Sequence, residues 1–130
     1  MTPWDRRLLS EEFLTRSDAE FNPSGNDQIA AEILWGAAAQ LLLIEIHREP
    51  TLNFTDHGSY RDAATFLQAK STGTVVLTDF DCANKLHGHF YHGHLSESDL
   101  RSCRRITKRF IQRLGTYLDQ STEASPPHTA

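Results

Sequence analysis

The hydrophobic positions of this chain recur at helical spacing, with almost no alternation of apolar and polar residues. Apolar residues three and four positions apart indicate an α-helix, whereas strict alternation indicates a β-strand. Polar, glycine- and proline-containing stretches divide this pattern into helix-length segments. The pattern predicts an all-α fold of about five helices, at about 3–21, 26–48, 59–70, 74–92 and 97–119.

Residues that favour helix starts support these boundaries. Ser24, Ser59 and Ser96 are each followed three positions later by an aspartate, the spacing of a capping box with Asp in place of the usual Glu or Gln. Pro3 suits a first helical turn, because the N–H that proline lacks would have no partner there. The three serines are therefore predicted caps of the second, third and fifth helices.

The second predicted helix is apolar on all sides from Ile33 to Ile46, which is typical of a helix at the centre of a bundle. It also contains a run of small residues, Gly36 to Ala39. Another helix, or a second copy of the chain, could approach closely there. Ordinary core packing is the simpler interpretation, and a dimer interface is the alternative.

The length of 130 residues and a hydrophobic content of 38% allow one domain, expected over residues 1–120. The polar tail 121–130 is expected to be disordered, because it offers no large apolar side chain for burial. The longest uncharged stretch, Ile33–Ile44, is shorter than the roughly 20 residues that cross a bilayer. The N-terminus also carries charges where a signal peptide would be apolar. These features predict a cytoplasmic protein with no membrane contact.

The formal net charge is −4, but residues 95–113 contain six bases and only two acids. On a helical wheel the bases lie opposite the apolar face of the last helix. Such a face is more often solvated surface, although it can also bind RNA or an acidic protein. The candidate basic surface consists of Arg101, Arg104, Arg105 and Lys108.

Histidines and cysteines are the other residues with reactive side chains. His87 is predicted to be the one polar residue on the apolar side of the fourth helix, where it is either a paired structural imidazole or a functional one. His89 and His92 are predicted on the solvent face, so the histidines from 87 to 94 cannot converge on one ion. We therefore predict no metal site and no cofactor. Two cysteines, Cys82 and Cys103, are expected to be packed thiols.

Three segments carry a resemblance to a known family: AAEILWGAAAQLLL, DHGSYRDAATFL and ANKLHGHFYHGHLSESDL, followed by a long helix ending in IQRL. Together they resemble HEPN-type helical domains, particularly small standalone ones with a KLH-x-x-FY segment near the end of the penultimate helix. The resemblance covers about residues 26–118. It implies an antiparallel bundle of four to five helices, commonly dimeric, in a superfamily of ribonucleases, toxin components, and non-catalytic scaffolds or nucleotide binders.

The ribonuclease signature of that family is an arginine followed four to six residues later by a histidine, and this chain departs from it. Arg48 precedes His57 by nine positions. Metal-independent RNA cleavage needs a base for the 2′-hydroxyl and a cation for the phosphorane. We therefore expect a non-catalytic HEPN-like module that binds a protein, nucleotide or RNA, as a homodimer. The alternatives are a ribonuclease or toxin with an atypical site, and an accessory subunit whose basic last helix docks on an acidic partner.

Five residues within the resemblance could still form a site. His57, His87 and Tyr91 are the catalytic candidates, and Arg61 and Lys85 are the candidate ligand-binding cations. If the loop before the third helix folds over the fourth, His57 and His87 could line one cleft, with Tyr91 as a hydrogen-bond donor and Arg61 holding an anion. Lys85 points away on the helical wheel, so its role rests on the resemblance alone. In the simpler interpretation, His57 closes the third helix and His87 bonds a buried carbonyl.

Overall fold

The computed structural model describes residues 1–22, 24–70 and 76–120. Within them the chain forms five helices, α1 (Pro3–Glu20), α2 (Asp27–Arg48), α3 (Gly58–Lys70), α4 (Val76–His92) and α5 (Glu97–Asp119). These described ranges contain no β-strand. The all-α prediction is confirmed, and the predicted boundaries that fall on described residues lie within one residue of the observed ones. The predicted start of the fourth helix at residue 74 falls outside the described residues. The predicted disordered tail, 121–130, falls outside the described residues.

The apolar helix α2 lies at the centre of the bundle, in contact with each of the other four helices. Leu34, Leu42 and Ile44 are among its fully buried side chains, and each contributes about 1.5–3 kcal/mol through burial. Gly36, the first residue of the run of small residues, faces α1, since a β-carbon there would lie only 3.2 Å from the ring of Phe13. The absence of a side chain at Gly36 thus allows α1 to pack closely on α2.

By length and composition, α2 is also the helix within the described ranges that is apolar enough to cross a membrane. However, 67% of its most apolar window is buried inside the bundle. Extensive burial is what the central position of α2 requires. The absence of a membrane span stays a prediction from the sequence.

Two buried serines of α1 bond to backbone carbonyls of α2. The Ser10 hydroxyl donates to the Ala37 carbonyl at 2.7 Å, and the Ser17 hydroxyl donates to the Ala30 carbonyl at 2.8 Å. Both pairs have the same spacing, seven residues along each helix and in opposite chain directions. Because these buried positions are polar, the helical wheel of the α1 sequence shows no clear apolar face.

Two helix starts have the capping geometry that their sequence favours. Ser96 caps α5 as predicted, accepting the Asp99 N–H at 3.1 Å. Thr2 and Asp5 form a reciprocal capping box ahead of α1, with Pro3 in the first turn as predicted. This threonine was not recognised as a cap from the sequence, although Thr2 and Asp5 have the same spacing as the serine–aspartate pairs.

The other two predicted caps are wrong. Asn26, rather than Ser24, caps α2, because Asn26 directly precedes the first helical residue and its side chain accepts the Ile29 N–H at 3.0 Å. Ser59 lies inside α3, which begins one residue earlier than expected. Its buried hydroxyl instead accepts the backbone N–H groups of residues 55 and 56, so it fixes the loop that leads into α3.

Arg7 of α1 links the first helix of the bundle to the last one, α5. One guanidinium nitrogen donates to the Gly115 carbonyl at 2.8 Å, and both terminal nitrogens contact the Asp119 carboxylate at 2.6 and 3.2 Å. Gly115 leaves room for this contact, since a β-carbon there would lie 3.4 Å from Arg7 Nη2. The second turn of α1 is therefore held beside the last turn of α5.

The apolar face predicted for α5 is confirmed, with Leu100, Phe110, Leu114 and Leu118 buried. On the same face Cys103 is a buried free thiol, while Cys82 of α4 is a half-buried one. Burial, followed by the neighbouring Cys82, raises the pKa of Cys103 to about 11. A thiol with so high a pKa is almost wholly protonated at neutral pH and reacts slowly.

Candidate functional site

Two imidazole rings lie face to face where the loop before α3 meets α4. The ring centroids of His57 and His87 are 4.8 Å apart, and the ring planes differ by 15°. His57 immediately precedes α3, and His87 lies on the side of α4 that faces α2. The structure thus brings together the two histidines that the sequence analysis paired, by the predicted folding of the loop over α4.

The buried indole of Trp35 on α2 packs against both imidazoles. Its centroid lies 5.3 Å from the centroid of His57 and 5.3 Å from that of His87. His57 is exposed and His87 is half-buried, so the rings are packed on one side and open to solvent on the other. Neither histidine is sealed in the core.

Hydrogen bonds to side chains define the tautomer of each ring. His87 Nδ1 lies 2.8 Å from Glu32 Oε1 and 3.1 Å from Oε2. A carboxylate can only accept, so Nδ1 carries the hydrogen and Nε2 of the neutral ring has a free lone pair. His57 Nε2 lies 2.9 Å from Asn84 Oδ1, and the same argument makes Nδ1 of His57 the acceptor. His87 therefore bonds a carboxylate, not the buried carbonyl of the simpler interpretation.

Glu32, Trp35 and Asn84 complete this group, and none of them was recognised from the sequence. We call Glu32, Trp35, His57, Asn84 and His87 the histidine site. One signal was available for Glu32, since an acidic residue at the start of a strongly apolar helix needs a polar partner. Nothing in the sequence indicated which residue that partner is.

A continuous series of ring contacts crosses the histidine site, from Phe54 through Tyr60, His57 and His87 to Tyr91. The successive centroid distances are 5.5, 5.6, 4.8 and 5.2 Å. We call these five residues the aromatic strip. Its two ends are exposed, with 47% of Phe54 and 64% of Tyr91 accessible to solvent.

The two cations predicted to hold an anion do not reach the imidazoles. Arg61 Nη2 contacts Asp81 Oδ1 at 2.7 Å, and its guanidinium lies 5.1 Å from the ring centroid of Phe80. Lys85 is exposed on the far side of α4, where its charge acts on Cys103 of α5. Among the described residues, then, neither predicted ligand-binding side chain contacts the two rings.

The prediction that His89 faces solvent is wrong. His89 is only 5% exposed, and its Nδ1 accepts the Leu95 N–H at 3.0 Å. The cause is Gly93, whose φ of 57° turns the chain back over the last turn of α4. Burial, followed by the nearby His94, lowers the pKa of His89. Within the described ranges, no group of three or more His, Cys, Asp or Glu side chains is arranged to hold a metal ion.

The predicted basic surface on α5 is partly neutralised within the bundle. Arg104 Nη2 and Lys108 Nζ contact the Asp18 carboxylate of α1 at 2.9 and 3.0 Å. Partial burial alone would raise the pKa of Asp18, but hydrogen bonds from Lys108 and Arg104 outweigh it and lower that pKa. Arg101 and Arg105 are exposed, and they are the outward part of this surface.

Comparison of the chain with protein-family models, curated proteins and solved structures gave no significant match.

Proposed function

We propose that this chain is a HEPN-like, non-catalytic binding module that forms a homodimer through the aromatic strip. The observation that carries the proposal is the unbroken series of rings between exposed Phe54 and exposed Tyr91. Rigid aromatic side chains supply large contact areas at low entropic cost, and they are enriched among residues that dominate binding energy. The resemblance to HEPN domains also favours a dimer.

The chemistry of the strip suits a twofold interface between identical copies. Such an interface is self-complementary, because each surface meets an equivalent copy of itself. The strip offers aromatic faces and edges together with the Glu32 carboxylate and imidazole nitrogens of the histidine site. Rings can pack on rings across the axis, while the polar atoms can exchange hydrogen bonds there.

The charge at the site argues against RNA cleavage. A catalytic site for that reaction needs a cation close to the base, to stabilise the phosphorane. Arg61 is paired with Asp81, and the carboxylate of Glu32 adds negative charge beside His87. A phosphate group would therefore meet a carboxylate, not a free cation.

Sedimentation velocity over a range of protein concentrations tests the homodimer. We expect the wild type to dimerise and the double variant F54A/Y91A to dissociate at least ~30-fold more readily, as loss of ~2 kcal/mol of contact energy implies. The matched control is Leu8→Ala on α1, which removes an equally exposed apolar side chain (47% for Leu8) outside the strip. A wild type that stays monomeric at ~100 µM, well above typical specific affinities, would refute the proposal.

One observation favours a second candidate function, ribonuclease activity. Glu32 orients His87 so that Nε2 can accept a proton, and this arrangement resembles an oriented general base. His57, stacked on His87, would then be the second imidazole. For this chemistry Arg61 would have to leave Asp81 and bind the phosphate.

A gel-based assay of RNA cleavage distinguishes this second candidate. The wild type is compared with His87→Ala and with the control His92→Ala, an exposed histidine on the same helix. Cleavage lost only in His87→Ala would support the ribonuclease. Absence of cleavage by the wild type, or equal cleavage by all three proteins, would eliminate it.

A further inference from the structure

A cleft of about 470 Å³ opens where the end of α3 and the start of α4 meet the C-terminal half of α5. Its apolar wall is formed by Leu67, Val76, Phe110 and Leu114, all of which are buried. None of the lining residues belongs to the histidine site or the aromatic strip. The volume lies within the range of small-molecule sites in proteins, roughly 300–1,000 Å³.

A buried carboxylate and two arginines form the charged side of this cleft. Asp79 is 3% exposed and contacts Arg109 Nη2 and Arg113 Nη1, each at 3.3 Å. The prediction that His87 is the one polar residue on the apolar side of α4 overlooked Asp79. A buried carboxylate needs cationic partners, and the two arginines, one helical turn apart on α5, provide them.

The two arginines retain binding capacity beyond this contact. Their side chains are about half exposed, 53% for Arg109 and 49% for Arg113. Contacts of 3.3 Å are long for charged pairs, which usually lie at ~2.7–2.9 Å. Each guanidinium has five N–H donors, and two cations share one carboxylate. The cluster therefore has a net positive charge and outward donors at the mouth of an apolar cleft.

We propose that this cleft binds a small amphipathic anion. The apolar body of the ligand packs on the half-buried ring of Tyr117, which also lines the cleft, and its carboxylate or phosphate head accepts hydrogen bonds from Arg109 and Arg113. Guanidinium groups bind both kinds of head in the same two-pronged way. The positive charge selects an anion, and the apolar wall selects a ligand with a hydrocarbon or aromatic body.

Isothermal titration calorimetry tests the ligand class with three probes that share an eight-carbon chain and differ in their head group: octanoate, octyl phosphate and neutral octanol. We expect at least one anion to bind the wild type, and octanol to bind at least ~tenfold more weakly, a difference of ~1.4 kcal/mol. The stronger of the two anions identifies the preferred head group. Octanol binding as tight as that of both anions, or no binding by the wild type, would overturn the proposal.

Two variants with opposite expected effects locate the binding. Arg113→Gln removes one cation and should weaken anion binding ~tenfold, whereas Asp79→Asn removes the competing carboxylate and should tighten it. Partial unfolding could weaken binding, but it cannot tighten it. Tighter binding by Asp79→Asn would therefore support the assignment even if Arg113→Gln is partly unfolded. The control Arg101→Gln makes the same charge change on α5 outside the cleft and should bind as the wild type does. Unchanged affinity in both test variants, or an equal loss in the control, would overturn the assignment.

Discussion

The orientation of His87 shows how far single residues could be predicted from the sequence. The helical period placed its ring toward the bundle, and the structure confirms this side of α4. The period gives a residue's angle about its own helix, but it does not show what the neighbouring helix presents there. Glu32, 55 positions earlier in the chain, was therefore not recognised as the partner.

His89 shows the limit of the same method at a helix end. The helical wheel assigned His89 to the solvent face because it treats α4 as an isolated cylinder. The left-handed turn at Gly93 returns residues 94 and 95 over that face, and a helical wheel contains no such information.

The buried His89 predicts a specific dependence of stability on pH. Because burial lowers its pKa in the folded state, the unfolded chain binds the proton more readily than the folded one. The free energy of unfolding should therefore be highest above about pH 6.5 and fall as the pH drops below it. Protonation would also remove the acceptor for the Leu95 N–H. His94 opposes the charged form of His89, and Asp27 favours it.

Urea denaturation at several pH values between ~5 and ~8 measures this effect. His89→Asn keeps an acceptor for the Leu95 N–H but cannot be protonated, so it should lose less stability than the wild type on acidification. The control, His92→Asn on the exposed side of α4, should behave as the wild type. Identical pH profiles for His89→Asn and the wild type would contradict the prediction.

At the scale of elements, local signals predicted where helices begin and end, but not how they pack. Helix limits follow from hydrophobic spacing and from proline and glycine within a few residues, which can be read from the sequence, although two of the three predicted caps are wrong. The packing of α1 on α2 depends instead on Ser10 and Ser17, which look like surface residues in the sequence. Their hydroxyls find acceptors only because α2 carbonyls lie opposite them.

We expect the double variant S10A/S17A to lower the free energy of unfolding by roughly 2 kcal/mol, about 1 kcal/mol for each lost hydrogen bond. Urea denaturation with an unchanged slope would measure it. Thr15→Ala is the matched control, because Thr15 is exposed and its hydroxyl donates to the Glu11 carbonyl within α1 itself. Its effect should stay within ~0.5 kcal/mol. A double variant as stable as this control would show that the serines do not hold α1 on α2.

At the scale of the whole molecule, the sequence shows the sign of a charged surface better than its strength. Six bases between residues 95 and 113 predicted a basic face, with solvated surface as the simpler interpretation and anion binding as the alternative. In the fold, Asp18 and Asp79 pair with four of them. These acids come from distant parts of the chain, so the neutralisation could be seen only in three dimensions.

The salt dependence of nucleic-acid binding tests how many of these bases are free. Asp18 and Asp79 offset two of the six positive charges. If the four remaining charges release counterions, the logarithm of the affinity for duplex DNA should fall with the logarithm of salt concentration at a slope of about −3.6. If all six bases contributed, the slope would be about −5. Fluorescence anisotropy between ~50 and ~200 mM salt measures it. R101Q/R105Q should weaken binding and reduce the slope to about −1.8, and a wild-type slope near −5 would contradict the pairing.

The bridge from Arg7 to Gly115 and Asp119 also bears on how the bundle can be engineered. Because this contact brings the start of the first helix close to the end of the last one, a short linker could reconnect them, with new termini cut in the exposed turn at Pro50 and Thr51. Such a circular permutant would keep every helix contact while changing the order in which the helices are synthesised. The packing of the five helices would thus not depend on the order in which they follow one another along the chain.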